Sequence, residues 1–373
     1  MYSTFDTTLG WSRWTAALLV MLYHLRFLLF ASYEQVQHKG WLLKAFYLLT
    51  GLGHEGFVLY MLASGLTLAR LHRPSRAEPA QRLRQKAIWS YALLLPALLL
   101  GAGFDVAGSR SATLQSAYAF FSQYSPDLSL TALLENLLPI QRFVVPGFGS
   151  NAMLYLLAYE CWAYLAYLAC MSARGARRGG VLAACIGLSA SALAPEFLSY
   201  LLLWMIGAWV RQQADNPRAR WPAWGGTAAL LLGLGLSRLG AGPVSHWPPH
   251  WMLIGRSLLD LQLGLALAAF FLSLDRKPQP RAAWRRWPRR LSLSFPAASS
   301  VILACHFPFM MLLVAWVAHT AQVPLGGQPQ TLSFLILALA ALSILAYALL
   351  LCRLGRRLAQ PLRMLVEHVS TRF

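Results

Sequence analysis

Long apolar runs alternate with short basic clusters along the whole chain, and few architectures tolerate that pattern. The runs lie near 11–31, 47–69, 88–104, 152–172, 181–194, 197–210, 222–237, 252–274, 295–318 and 332–352, each bounded by charges, Gly/Pro clusters or Trp/Tyr edges. A helix that crosses the hydrocarbon of a bilayer needs roughly 20 apolar residues. The pattern therefore predicts an all-α, polytopic membrane protein of about ten transmembrane helices, forming a single membrane domain over residues 1–373. The runs within 181–237 are short, so one pair of them could be re-entrant.

Composition excludes most other classes. Of 373 residues, 57% are hydrophobic and 12% charged, against about 25% charged in a soluble domain. A net charge of +19 would in isolation suggest nucleic acid. The apolar fraction has no place in a phosphate-binding domain, and the basic residues sit between the runs, so no nucleic-acid partner is expected. With a cytoplasmic N-terminus, the inward segments are 70–87, 173–180, 211–221, 275–291 and the tail 353–373, and they hold 24 of the 32 Lys and Arg. That asymmetry orients a multi-pass protein with both termini cytoplasmic. The outward segment 105–150 is too long for a plain connector and is a candidate lid or acceptor surface. The stretch 276–290 reads as facing lipid headgroups. The first run is expected to be a retained span and not a cleaved signal peptide, because it contains His24 and Arg26 and no clear small-residue cleavage site follows.

Ionisable side chains at membrane depth are costly and mark function by default. Here they are Arg13, His24, Arg26, His54, Glu55, Glu160, Arg256, Asp260 and His306. Arg13 and His24 are eleven positions apart, about three helical turns and roughly 16 Å of rise, and so share a face. One helix could then offer a cation to an anionic donor and, further out, a titratable base. The second run opens with His54 and Glu55, giving a further donor and a carboxylate to orient an imidazole. Ser64-Gly65 allows close backbone approach by a helix or a ligand. Glu160 needs a cation, a proton or water. His306, just before Pro308, is a further candidate. No metal site is expected, because Val58 stands where a zinc-protease helix would carry its second His. The five cysteines read as buried thiols.

These residues carry a resemblance. The chain resembles the integral-membrane acyltransferase family 3 across nearly its whole length. The marks are Arg13 and His24 in SRWTAALLVMLYHLR, the segment GHEGFVLYMLASGL, LAYECWAYL around Glu160, and SSVILACHFPF ending on His306 and Pro308. Departures at Leu66, Tyr155-Leu156, Lys86 and Trp89 touch none of Arg13, His24 or Glu160. The resemblance implies an acyl-CoA donor, most simply acetyl-CoA, reaching the protein from the cytoplasm, with no bound cofactor. It also implies a hydroxyl acceptor on a cell-surface or exported glycan or a lipid-linked saccharide, and a place in the bacterial inner membrane. His24 would be the general base. Arg13, Arg82, Arg84 and Lys86 would form a cationic rim for the CoA phosphates, near Ser64 and Gly65. His54 would stabilise the oxyanion, Glu55 orient an imidazole, and Glu160 balance charge. The alternatives from other classes are a proton-coupled transporter or flippase of a lipid-linked glycan and an intramembrane serine hydrolase using Ser64.

Overall fold

The computed structural model describes residues 4–70, 79–120, 127–172, 176–213, 216–275 and 289–370. Over these residues the chain forms α1 (Thr4–Leu29), α2 (Trp41–Thr50), α3 (Gly53–Arg70), α4 (Pro79–Ser109), α5 (Gln115–Phe120), α6 (Leu130–Leu137), α7 (Tyr155–Ser172), α8 (Ala176–Leu193), α9 (Phe197–Gln212), α10 (Ala223–Ser245), α11 (Pro249–Ser273), α12 (Arg289–Thr320) and α13 (Thr331–Ser370). No strand occurs among the described residues; Phe30–Gly327 and Gln141–Val145 are isolated bridges. Each apolar run of the sequence falls on a helix.

Among the described residues five helices are long and apolar enough to cross a membrane: Leu83–Ser109, Ala223–Ser245, Pro249–Ser273, Ala298–Thr320 and Thr331–Met364. Their outer faces expose leucines, among them Leu231, Leu232 and Leu239 on α10 and Leu339, Leu342 and Leu350 on α13. Rows of this kind suit lipid tails and not water. Helices α1 and α3 are outside this set. They carry Arg13, His24, His54 and Glu55, which lower their mean hydropathy.

Three features differ from the sequence pattern. The run 47–69 is broken: α2 closes with the Gly51 N–H donating to the Tyr47 carbonyl at 2.9 Å, and α3 restarts at Gly53. A Cβ on Gly53 would overlap the Tyr23 side chain, so only glycine lets α3 begin there. The tail is helical, because α13 continues to Ser370. Its 40 residues span about 60 Å, roughly twice the hydrocarbon thickness. The described residues of the long segment 105–150 are folded as well. Asp105, buried in α4, accepts both the Ser150 N–H and the Ser150 Oγ–H at 2.7 Å. Ser129 caps α6, and its N–H holds the Asp127 carboxyl below the usual carboxylate range. Residues 71–78 of the first basic loop and 276–288, the greater part of the second, lie outside the described residues.

The chain forms two compact units. The first comprises Met1–Ala16, His54–Arg76 and Tyr159–Pro296. Within it Gly226, Gly233 and Gly240 of α10, seven residues apart, face Ser273, Ala266 and Leu259 of α11, also seven apart. That matched repeat is antiparallel packing of the small-residue kind. Helices α3 and α9 approach still more closely: Gly65 lies against the Trp204 carbonyl and Gly207 against the Leu62 carbonyl. Neither contact leaves room for a Cβ. Gly65→Val is therefore expected to abolish folded protein, read as loss of the monodisperse peak in detergent, whereas Leu66→Phe should preserve it.

The second unit comprises Ala17–Gly53, Ala77–Ala158 and Ala297–Phe373. Phe30, Phe46 and Phe334 meet at ring separations of 4.9–5.3 Å. The Ala31 N–H donates to the Gly327 carbonyl at 2.8 Å, tying the end of α1 to the turn before α13. Helices α4 and α13 pair through Ile88, Ala92 and Ala359, and through Leu93 against Gly355.

Candidate functional site

Helix α1 carries both groups that the spacing singled out, Arg13 in its first half and His24 in its second. Each belongs to a separate polar cluster.

In the first unit the Arg13 guanidinium donates to the Tyr60 hydroxyl at 2.8 Å and stacks over the Tyr60 ring at 4.8 Å. The Tyr60 O–H in turn donates to Glu160 Oε2 at 2.8 Å, and Arg13 lies 3.6 Å from the same oxygen. Arg13, Tyr60 and Glu160 are all buried, at 8%, 0% and 5% exposure. The cation that Glu160 requires is thus Arg13, with a phenol between them. Arg13 consequently does not stand on an open rim. Tyr60 reads in the sequence as an ordinary aromatic of α3, and its place four residues before Ser64, on the same face, is the one signal for it.

In the same unit the first turn of α3 presents His54 and Glu55 to α10 and α11. Glu55 does not orient His54. The His54 Nε2–H donates to Asp260 Oδ1 at 2.6 Å, while Glu55 Oε1 accepts from the Ser237 hydroxyl at 3.1 Å and lies 3.8 Å from Arg238. The competing carboxylate wins because Asp260, on α11, faces the ring edge that Glu55 on the same turn does not reach. Asp260 was counted among the intramembrane charges, but nothing local pairs it with His54 across 206 residues of sequence. Ser64 is fully buried, and its Oγ has no hydrogen-bond partner among the described residues. A serine nucleophile needs a base within hydrogen-bond reach, so the hydrolase reading loses its basis. Gly65 serves the α3–α9 contact.

In the second unit His24 and His306 form a pair. Their rings stack 5.3 Å apart at 23°, with His24 Nδ1 3.1 Å from His306 Nε2. His306 Nδ1 lies 2.7 Å from the Ile302 carbonyl one turn earlier on α12. A carbonyl only accepts, so His306 carries its proton on Nδ1, and in the neutral ring its Nε2 is the acceptor. His24 must then donate from Nδ1. Its Nε2 is left with a free lone pair. Phe307 packs edge-on against His24 at 5.4 Å and Tyr23 at 5.5 Å, confining the imidazole. His306 is fully buried and His24 is 8% exposed. A carbonyl fixes one tautomer, that tautomer fixes the next, and the outcome is a base with its lone pair available.

Arg84 and Lys86 are partly exposed near the start of α4, also in the second unit. The side chain of Arg82 lies outside the described ones.

No curated protein and no solved structure matches the chain. A family model does. It is that of acyltransferase family 3, described as an acyltransferase domain, and it matches residues 7–353. The match takes in α1 with its Arg13 and His24, the buried Glu160 and the His306 that holds His24, together with the spanning helices around them. Helices fit for a bilayer and a match over nearly the full length lead to one assignment: the chain is an integral membrane protein of acyltransferase family 3.

Proposed function

We propose that this membrane acyltransferase moves an acyl group, acetyl in the simplest case, from cytoplasmic acyl-CoA to a hydroxyl of a cell-surface or exported glycan or of a lipid-linked saccharide. The observation that carries the reading is the Ile302 carbonyl–His306–His24 relay, which leaves His24 Nε2 as an accepting base in a buried setting. In the reaction His24 Nε2 takes the acceptor hydroxyl proton as the oxygen attacks the thioester carbonyl. The carbon–sulfur bond breaks, the proton passes from His24 to the leaving thiolate, and free CoA departs. Arg84 and Lys86, with Arg82, supply cations for the CoA phosphates. Arg13, Tyr60 and Glu160 form a neutralised internal brace on α1. The charge asymmetry of the loops supports about ten spans with both termini in the cytoplasm, and a glycan acceptor supports the bacterial inner membrane.

The test uses purified protein in lipid, acetyl-CoA and glycan extracted from cells lacking the gene. Acceptor-dependent release of free thiol, with a matching mass increase on the glycan, is expected. Movement of a lipid-linked saccharide across the bilayer without thiol release would instead establish the flippase reading.

A further inference from the structure

Glu55 has an oxygen that the first unit leaves unanswered. Its side chain is 5% exposed and Oε1 is taken by Ser237 and Arg238, yet Oε2 has no hydrogen-bond partner among the described residues. Buried polar atoms in native proteins are almost always paired, so an orphaned carboxylate oxygen marks a place where a donor arrives. The neighbouring residue supplies a second such atom. His54 gives its Nε2 proton to Asp260, which as a carboxylate only accepts, so in the neutral ring Nδ1 keeps its lone pair. The His54 side chain is 50% exposed, and that of Arg238 is 37% exposed beside it. Asp260 and Arg256 stand one turn apart on the facing side of α11.

Two acceptors on one helical turn ask for two donors. A carboxylate has none to give, and a phosphate, whatever O–H it keeps, brings negative charge against that of Glu55. Hydroxyl groups on adjacent carbons have both. The two carboxylates of the cluster, Glu55 and Asp260, are offset by Arg238 and Arg256, so with a neutral His54 a neutral ligand leaves the balance undisturbed.

We propose that Glu55 Oε2 and His54 Nδ1 seat a neutral, hydroxyl-rich saccharide, the acceptor, by accepting from two of its O–H groups. Asp260 is the positioning residue that holds the His54 ring, and Ser237 the one that turns Glu55. The inference rests on the acyl-transfer reading above and names the residues that select its acceptor.

Ligand-observed NMR on the full chain in lipid nanodiscs tests it. The probes are methyl glucoside, methyl galactoside and methyl N-acetylglucosaminide, with coenzyme A binding measured on the same samples. At least one glycoside is expected to bind, and Glu55→Gln to weaken it tenfold or more while coenzyme A binds as before. Asp260→Leu should match Glu55→Gln. Asp260→Asn, which keeps an oxygen for the His54 N–H, should lose less, a graded result that a merely structural aspartate would not give. Glycoside affinity unchanged in Glu55→Gln and Asp260→Leu would overturn the assignment, as would inorganic phosphate displacing the glycoside, or wild-type protein that acylates glycan yet binds no glycoside. Glycoside binding that depends on Glu55 in a protein that neither binds coenzyme A nor transfers acyl groups would leave the seat standing and overturn the reaction instead.

Discussion

Replacing His24 by Asn is expected to lower acyl transfer about 10²–10⁴-fold, the range a positioned general base supplies. The loss should fall on turnover and leave coenzyme A binding intact, because the substitution removes the group that takes the proton and nothing that grips the nucleotide. His306 sharpens the test. His306→Leu removes the acceptor for the His24 Nδ1–H, so the ring is free to adopt the wrong tautomer, and turnover should fall about a hundredfold. His306→Gln keeps an oxygen able to accept that proton and should recover part of the loss. Thiol release with acetyl-CoA and glycan measures all three. A His24→Asn protein working near the wild-type rate would remove the base from the mechanism.

The second large effect concerns stability. Glu160→Leu leaves the Arg13 guanidinium buried beside Tyr60 without its carboxylate, and breaking a buried ion pair from one side costs about 3–5 kcal/mol. Removing both partners with Arg13→Leu and Glu160→Leu together should cost much less than Glu160→Leu alone, since no uncompensated charge remains. Thermal unfolding in detergent, followed by tryptophan fluorescence, gives the comparison. If the double variant is the less stable, the pair is not the brace described here.

Much of this architecture is legible in the chain before any coordinates. Apolar runs bounded by basic clusters locate helices because a long apolar segment must satisfy its backbone internally, and His24 stands out because an imidazole is rare inside an apolar run. What escapes is whatever depends on partners far off in sequence. Glu160 plainly needs a cation, but its choice of Arg13 through Tyr60 follows from the packing of α1, α3 and α7 in the first unit. Glu55 has the chemistry to orient an imidazole, whereas adjacent helical residues point about 100° apart and the His54 ring is held by Asp260 of the facing helix instead. The break after α2 is not legible either, because Gly51 sits within the run 47–69 and no charge or proline separates α2 from α3.

The pairing of α4 with α13 bears on how a large, charged donor could be met at the edge of the lipid. Arg84 and Lys86 lie four and two residues before Ile88, which is already clasped by Ala359 of the opposite helix. These cations are mounted on a two-helix post and not on a floppy strap. Their backbone is ordered when the protein folds, so in the proposed reaction the donor's pyrophosphate would meet charges at preset heights and give up little freedom beyond its own.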